Sequence, residues 1–438
     1  MTFPKIDKWT ATAVVVANMV GTGVFTSLGF QLLNIHNAWS IALLWVVGGI
    51  IALSGAFTYA EIGSYFIKNG GEYVYLNRLF HPALGFIAGF VSIIVGFAAP
   101  IAAACVAFGK YLSYTFFSSS ESFTYSRWLA ILVLTLISSV HLLNIKVAGN
   151  FQKVVTLLKI VIMTLFGWAF VKNNANPAAF EWDIKTIANT LVSPAFAVSL
   201  IYVSYAYSGW NAAAYIADEI EKPEKNLALS IIIGTFIVLI LYVLLNLSFL
   251  YSTPIQELTG NVEVGIISAH FIFGQQIGNI IGLLISILLI STISSMMMAA
   301  PRVLASIGED FQILSVFNQR NKYQSPYVSV VFIYCIAMLM ILSSSFQWLI
   351  NYIGITLIIF TTITALGIFI LRKRKDYSPI FKMPFYPLPA LIFIVLNGWI
   401  LVYMSLKEFS VLIFSLMTIF VGWMVYLWIH YFSSKRND

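Results

Sequence analysis

Long apolar segments dominate the sequence, and each is long enough to cross a lipid bilayer as a helix of roughly 20 residues. Apolar residues occupy 60% of the 438 positions and charged residues 9%. A water-soluble domain carries about 25% charged residues. Lipid must therefore surround most of this chain. We predict an all-α polytopic membrane protein with twelve transmembrane helices, at residues 10–33, 38–66, 82–114, 128–145, 147–171, 191–217, 227–251, 270–305, 327–345, 348–371, 387–406 and 410–432.

The distribution of positive charge predicts the orientation. Twelve crossings put both termini on one side, and 18 of the 24 Lys and Arg residues lie in or beside connections on that side. Connections rich in Lys and Arg stay in the cytoplasm, so both termini are predicted to be cytoplasmic, in the inner (plasma) membrane. We expect no cleavable signal peptide before the first span. The net charge of +7 then reflects topology, and no nucleic-acid partner is expected.

The connections between spans are short and leave no room for a soluble catalytic domain. Two outer connections, at 173–189 and 253–269, are long enough to hold local structure. The long eighth span and the stretch 302–323 after it predict a helix that projects beyond the bilayer.

Two spans are interrupted by glycine at equivalent positions. The first contains Val20-Gly21-Thr22-Gly23 near its middle, and the sixth contains Tyr207-Ser208-Gly209-Trp210-Asn211. Glycine inside a helix costs about 1 kcal/mol relative to alanine, so the helical backbone is weak at both places. One interpretation is purely structural: these glycines only allow neighbouring helices to pack closely. Matched interruptions in two halves instead favour an inverted-repeat transporter with unwound helices at its binding site.

This interpretation predicts the domain organisation. Two five-helix repeats of inverted topology would occupy 10–171 and 191–371. A cytoplasmic N-terminus at 1–9 precedes them, two further helices follow at 387–432, and a cytoplasmic tail ends the chain at 433–438.

An unwound turn in mid-membrane suits an amino acid. It exposes backbone N–H groups at the start of one half-helix and carbonyl oxygens at the end of the other. The N–H end attracts a carboxylate, and free carbonyls accept hydrogen bonds from an ammonium group. No acidic residue lies deep in the segments expected to line the pocket, which favours neutral over cationic cargo because a buried cation needs a partner.

Lys159 lies in the middle of the fifth span, roughly 18 Å from either end, too far for its amine to reach the headgroups. Charged residues inside the membrane are costly and usually functional. We predict that the amine replaces a bound sodium ion near the first and eighth spans, which makes transport sodium-independent. The alternatives are a structural lysine tied to helix-end carbonyls, and an amine that titrates and couples transport to protons.

Other polar residues give weaker signals. Glu61, near the end of the second span, and Glu219, after the sixth, are candidates for the inner gate, with Arg302 as a candidate gate partner. The five histidines are scattered without metal-ligand spacing, so no metal, cofactor or enzymatic activity is expected. A channel is a further alternative, although two broken helices favour an occludable site over an open pore.

Several motifs, taken in order, resemble the amino acid–polyamine–organocation superfamily, and within it the L-type amino acid transporter branch. The resemblance covers about residues 10–370. It is carried by Val20-Gly21-Thr22-Gly23-Val24-Phe25, Tyr59-Ala60-Glu61-Ile62-Gly63, Gly70-Gly71-Glu72-Tyr73, Tyr205-Ala206-Tyr207-Ser208-Gly209-Trp210-Asn211, Glu219-Ile220-Glu221-Lys222-Pro223-Glu224-Lys225-Asn226 and Ala300-Pro301-Arg302.

The resemblance implies an inverted-repeat fold that works by alternating access, with Lys159 in place of sodium. The implied substrate-binding residues are Val20, Gly21, Thr22, Gly23, Tyr205, Ala206, Ser208 and Asn211. By motif position, Thr22 and Gly23 meet the substrate carboxylate, while the carbonyls of Val20 and Ala206 meet the amine. Tyr205 stands where the branch usually has a phenylalanine gate, and Asn211 lies beside the pocket.

The resemblance also bears on partners and on the mode of transport. Eukaryotic members pair with a heavy subunit through a disulfide, and neither Cys105 nor Cys335 is placed for one. We therefore expect a stand-alone prokaryotic permease whose partners are the amino acid substrate and the lipid bilayer. We predict a sodium-independent exchanger of neutral L-amino acids, with a proton-coupled symporter of the same fold as the alternative.

Overall fold

The protein is helical throughout the part of the chain that a computed structural model describes, residues 5–117, 119–143, 148–170 and 180–434. Most of the predicted tail and part of the predicted connection 173–189 lie outside these ranges. The one β-contact among the described residues is an isolated bridge between Ile6 and Ile220. The helices are α1 (Lys8–Met19), α2 (Thr22–Gln31), α3 (Ala38–Tyr65), α4 (Glu72–Leu79), α5 (Pro82–Val91), α6 (Ala99–Phe116), α7 (Ser119–Leu143), α8 (Ala148–Phe166), α9 (Ile184–Leu191), α10 (Pro194–Tyr207), α11 (Pro223–Ser252), α12 (Ile255–Leu258), α13 (Val264–Phe273), α14 (Gln275–Asp310), α15 (Tyr327–Ser343), α16 (Phe346–Leu371), α17 (Leu388–Lys407) and α18 (Phe409–Ser434).

Nine helices in the described ranges are long and apolar enough to cross a membrane. A tenth candidate is the pair formed by α9 and the sixth span, which bends by 70°. Shorter apolar helices at Leu157–Phe170, Val264–Phe273 and Tyr327–Ser343 accompany them. The prediction of an all-α, multi-pass membrane protein is confirmed, while the count of twelve spans stays a prediction.

Polar residues fix where several spans begin. The side chains of Asp7, Asn37, Ser193 and Ser345 each accept a hydrogen bond from a backbone N–H in the first turn of α1, α3, α10 and α16. Such caps satisfy N–H groups that have no partner within the helix. They also define helix ends within otherwise apolar sequence.

The eighth predicted span begins later and ends later than expected. Gly274, with φ of +84°, separates α13 from α14, so the long helix runs from Gln275 to Asp310 instead of 270–305. Its 36 residues extend about 54 Å, well beyond a hydrocarbon core of roughly 30 Å. The helix is long enough for the predicted projection, and its position relative to the bilayer stays a prediction. The short helices α12 and α13 provide the local structure expected in the connection 253–269.

Packing places the two interrupted spans at the centre. Of the 18-residue apolar stretch in the α1–α2 segment, 72% is buried inside the protein. The corresponding share for α18 is 17%, so α18 lies at the lipid-facing periphery. Helices α1 and α3 pack along α11, α2 packs against α10, and α6 packs against both α7 and α14. The interrupted segments are therefore enclosed by protein, where irregular backbone is tolerated inside a membrane.

Candidate functional site: two broken helices at one cavity

The first span breaks at Val20 and Gly21, between α1 and α2. The backbone N–H of Val20 donates to the Val16 carbonyl (2.9 Å) and closes α1. Its ψ of 84° then turns the chain out of the helix. The first turn of α2 has no side-chain cap. The N–H groups that begin α2 are therefore available to a carboxylate, which the helix dipole also favours.

The sixth span breaks after Tyr207. Gly209 has φ of +95°, a conformation that favours glycine because it has no Cβ. A short 3₁₀-helix, Ala212–Glu219, continues the span. The Ser208 hydroxyl donates back to the Tyr205 carbonyl (2.7 Å), so one of the carbonyls at the end of α10 is already occupied.

The two breaks touch each other. A Cβ added to Gly23 would lie 2.5 Å from Cα of Ala206, so only glycine permits this approach. The Thr22 hydroxyl lies 2.5 Å from the Tyr205 hydroxyl, within hydrogen-bond distance. From α11, the Tyr242 hydroxyl lies 2.6 Å from the Met19 carbonyl and 3.1 Å from that of Ala206. These contacts join both breaks into a single site.

A cavity of about 340 Å³ opens between the breaks. Seven of the eight predicted substrate-binding residues line it, namely Gly21, Thr22, Gly23, Tyr205, Ala206, Ser208 and Asn211. Val20 does not belong to its lining and is 1% exposed. The cavity has the size of a small-molecule site, with polar backbone at one place and apolar walls elsewhere.

The third span contributes an irregular wall that the sequence analysis missed. Residues Ser92–Ala98 form a π-helix between α5 and α6, and Ser92, Gly96, Phe97 and Pro100 line the cavity. Pro100 has no N–H to donate to the Gly96 carbonyl, which explains why the α-helical pattern fails there. The proline inside this apolar run was the sequence signal that could have predicted the irregular helix.

Lys159 does not line the cavity but lies behind the first break. Its side chain is 3% exposed, and its amine is 3.4 Å from the Ala17 carbonyl on α1 and 3.3 Å from the Thr292 hydroxyl on α14. The amine thus joins the fifth, first and eighth spans. Because Ala17 belongs to the last turn of α1, the contact also fits a structural lysine tied to a helix-end carbonyl.

An acidic residue does line the cavity, contrary to expectation. Glu72, the first residue of α4, is 3% exposed and belongs to the cavity wall. Its carboxylate accepts hydrogen bonds from Tyr59 (3.0 Å), Asn211 (2.9 Å) and Tyr215 (3.1 Å). Its position in Gly70-Gly71-Glu72-Tyr73 gave no sign of this role, because α4 lies between spans in sequence and reaches the cavity only in the fold.

The three candidate gate charges are not brought together. Glu61 is fully buried and forms a bidentate ion pair with Arg372 (2.6 and 2.7 Å). That carboxylate raises the pKa of the Arg372 guanidinium through hydrogen bonding and charge, against the opposing effect of burial. Glu219 accepts from Asn69 (3.4 Å). Arg302 is exposed and takes part in neither of the two ion pairs of the described residues.

No group of His, Cys, Asp and Glu side chains in the described ranges could hold a metal ion. Both cysteines are free: Cys105 is buried in α6, and Cys335 is exposed on α15. The arrangement offers backbone donors, backbone acceptors and hydroxyls around an enclosed space. It can hold a small polar solute.

A bundle of membrane helices, two of them broken around a common cavity, defines a solute permease. Comparison with known proteins identifies its kind: the chain belongs to the amino acid permease family, which matches residues 6–433. It is 26% identical over 397 residues to the mouse b(0,+)-type amino acid transporter 1, covering 87% of this chain and 79% of that protein. It is equally similar, at 26% over 398 residues, to the serine/threonine exchanger SteT of Bacillus subtilis, with 89% of each chain covered.

A third relative is the rabbit large neutral amino acids transporter small subunit 2, 25% identical over 384 residues, with 86% of this chain and 71% of that protein covered. These relatives are transporters and not enzymes. The predicted resemblance and the prediction of a membrane permease that moves amino acids are therefore confirmed.

Proposed function

We propose that this permease is a sodium-independent exchanger of neutral L-amino acids that works by alternating access. The observation that carries the proposal is the contact between the two helix breaks at a single cavity. The uncapped start of α2 and the carbonyls that end α1 and α10 lie on facing backbones. A zwitterion matches both ends at once without any charged side chain.

We assign individual roles by motif position, and all of the residues named except Val20 line the cavity. The N–H groups of Thr22 and Gly23 bind the substrate carboxylate, and the carbonyls of Val20 and Ala206 accept hydrogen bonds from its ammonium group. Tyr205 closes over the cargo, and its contact with Thr22 supports a gate held to the first break. Gly21, Ser208 and Asn211 complete the site.

Neutral cargo remains the best proposal despite Glu72. Among the described residues that line the cavity, Glu72 is the one with a charged side chain. Its carboxylate oxygens already accept three hydrogen bonds from neutral groups. A cationic cargo side chain would have to compete with these donors for the carboxylate, whereas a neutral one leaves them in place.

Sodium independence rests on Lys159. Its amine sits among a main-chain carbonyl and a hydroxyl, the oxygen ligands that hard cations prefer. A tethered ammonium there supplies positive charge without a bound ion. The geometry also accommodates the alternative, a proton-coupled symporter in which this amine releases its proton.

The packing supports two inverted repeats. In the predicted numbering, spans five positions apart lie against each other: α2 against α10, α3 against α11, α6 against α14, and α7 against α15. A two-fold pseudosymmetry axis in the membrane plane would bring equivalent helices together in this way. We propose repeats at 10–171 and 191–371 followed by two helices at 387–432.

We further propose both termini in the cytoplasm of a prokaryotic cell, in its plasma membrane. The permease would act without a disulfide-linked subunit, because Cys105 is buried and Cys335 lies within the apolar helix α15, away from any connection. Its proposed partners are the amino acid and the lipid.

Uptake by proteoliposomes tests the function. Labelled neutral L-amino acids are offered in sodium-free buffer, with and without internal amino acid, at two pH values. Exchange predicts uptake only with internal substrate, whereas uptake into empty vesicles driven by a proton gradient would establish the symporter. No uptake of any amino acid would refute the proposal.

A matched pair of variants tests the lysine. Lys159→Met removes the buried charge and should abolish sodium-free uptake, while Lys225→Met removes an exposed one and should leave it unchanged. Full uptake by Lys159→Met would show that the amine is not required.

A further inference from the structure

The Glu72 carboxylate is buried in the cavity wall, and neither ion pair found among the described residues involves it. The two helices that pack on α4 are α5 and α16, and neither contains Asp, Glu, Lys, Arg or His.

From α3, Tyr59 faces the carboxylate, and Glu61 on the same helix is paired with Arg372. From the 3₁₀-helix after the sixth break, Tyr215 faces it, while Asp218 and Glu219 are exposed. Within α4 itself, Tyr75 is a buried titratable neighbour, Tyr73 is partly buried, and Arg78 is exposed in the last turn.

This environment opposes the charged form. Burial raises the pKa of the Glu72 carboxyl, and the hydrogen bonds from Tyr59, Tyr215 and Asn211 offset only part of the rise. Burying a charge without a cation to pair with it is costly, and neutral donors here compensate only part of that cost, so protonation of this carboxylate is favoured. A proton is the ligand that removes the charge.

Glu72 also belongs to a row of contacts that joins α4 and the connection before it to residues 211–219 of the sixth span. The connection before α4 donates from the Gly70 N–H to the Tyr215 carbonyl (3.3 Å), and the Asn69 side chain accepts from the Asp218 N–H (3.1 Å). Glu72 extends this row to Asn211, beside the break. The carboxylate is therefore the innermost link between α4 and the second half of the sixth span.

We propose that Glu72 is a proton-binding site of the permease, and that its charge sets how firmly the α4 segment holds residues 211–219. The ionised carboxylate accepts three charge-assisted hydrogen bonds, which are roughly twice as strong as neutral ones. The protonated acid donates through one oxygen, so the Tyr215 hydroxyl must turn from donor to acceptor and the Asn211 link weakens. Protonation thus loosens the segment that continues from the cargo site. The proposal deepens the transport function above and rests on it for its biological meaning.

Infrared spectroscopy of the purified full-length protein tests proton binding directly. A pH titration upward from the ordinary glutamate pKa of about 4.3 should show a protonated carboxylic acid band that persists above that pKa and is lost at higher pH. The band should be absent from Glu72→Gln and unchanged in Glu221→Gln, which alters an exposed carboxylate. A wild-type spectrum with no band assignable to Glu72 would overturn the proposal.

A second variant keeps the test informative even if Glu72→Gln does not fold. Tyr215→Phe removes one donor that stabilises the charged form, so the midpoint of the infrared titration should move to higher pH. An unmoved midpoint would show that this contact does not control the proton.

Hydrogen–deuterium exchange tests the mechanical consequence. After correction for the intrinsic chemical rate, exchange in 211–219 should be about fivefold faster when Glu72 is protonated. Glu72→Gln should exchange at the fast rate at every pH. Equal corrected rates across the titration would refute the link to the sixth span. Neither measurement needs transport, so failure here is distinct from failure of the uptake assay.

Discussion

The contact between Gly23 and Ala206 makes the sharpest test of the paired-break site. In Gly23→Ala the new Cβ would lie 2.5 Å from Cα, 2.8 Å from Cβ and 3.1 Å from N of Ala206. Carbon atoms pack best at about 3.5–4.0 Å, so the two breaks must separate by roughly 1 Å. The obstructing atoms belong mostly to backbone and cannot rotate away. Overpacking of this kind costs about 1–3 kcal/mol.

The cost falls on the arrangement that binds cargo. Because about 1.4 kcal/mol corresponds to a tenfold change in a binding constant, an overpacking cost of about 1–3 kcal/mol predicts a loss of roughly 5- to 150-fold in apparent substrate affinity. The assay is concentration-dependent exchange in proteoliposomes, with thermal unfolding in detergent measured alongside. The affinity should fall and the unfolding temperature should drop.

Gly398→Ala is the matched control, because Gly398 lies in α17 with no atom within 4 Å of its added Cβ. It should transport like the wild type, and its helix should gain up to about 1 kcal/mol. If Gly23→Ala exchanged cargo with the same affinity as Gly398→Ala, the two breaks could not form one closely packed site.

Three further predictions follow from the polar contacts. Arg372→Met leaves the buried Glu61 carboxylate without its cation and should lower the free energy of unfolding by about 3 kcal/mol. Arg320→Met, in an exposed pair, should lower it by at most about 1 kcal/mol. Equal losses of stability in thermal unfolding would contradict this prediction. Tyr205→Phe removes one hydrogen-bonding hydroxyl, so the KM of exchange should rise about two- to tenfold, and an unchanged KM would show that the contact is dispensable. Glu72, whose folded pKa is raised, favours the fold below its unfolded pKa of about 4.3 and loses that contribution as pH rises through the folded value. Glu72→Gln should remove this decline in unfolding temperature, and a retained decline would exclude Glu72 as its source.

Much of the fold could be predicted because the membrane restricts the possible structures. Apolar runs of sufficient length in lipid must become helices, since no water satisfies their backbone groups. The glycine interruptions could be located for a similar reason: Gly209 takes a conformation that side chains avoid. Seven predicted binding residues line the cavity because backbone breaks are local features of sequence.

Side-chain partnerships across the bundle were not predictable in the same way. Glu61 was expected at a gate, and its partner proved to be Arg372, 311 positions away. Tyr242 lies in an ordinary apolar helix, yet its hydroxyl reaches carbonyls of both breaks. Nothing in the local pattern around either residue specifies such distant contacts.

Sequence alone determined that this chain is a multi-pass helical permease with two interrupted spans and a buried lysine. Each of those features depends on short-range chemistry: apolar length, glycine in a helix, or a charge far from water. Tertiary structure decided that the two breaks touch, that Lys159 reaches α1 and α14, and that Glu72 enters the cavity wall. These outcomes depend on how helices cross, which is set by packing over the whole bundle and not by any one segment.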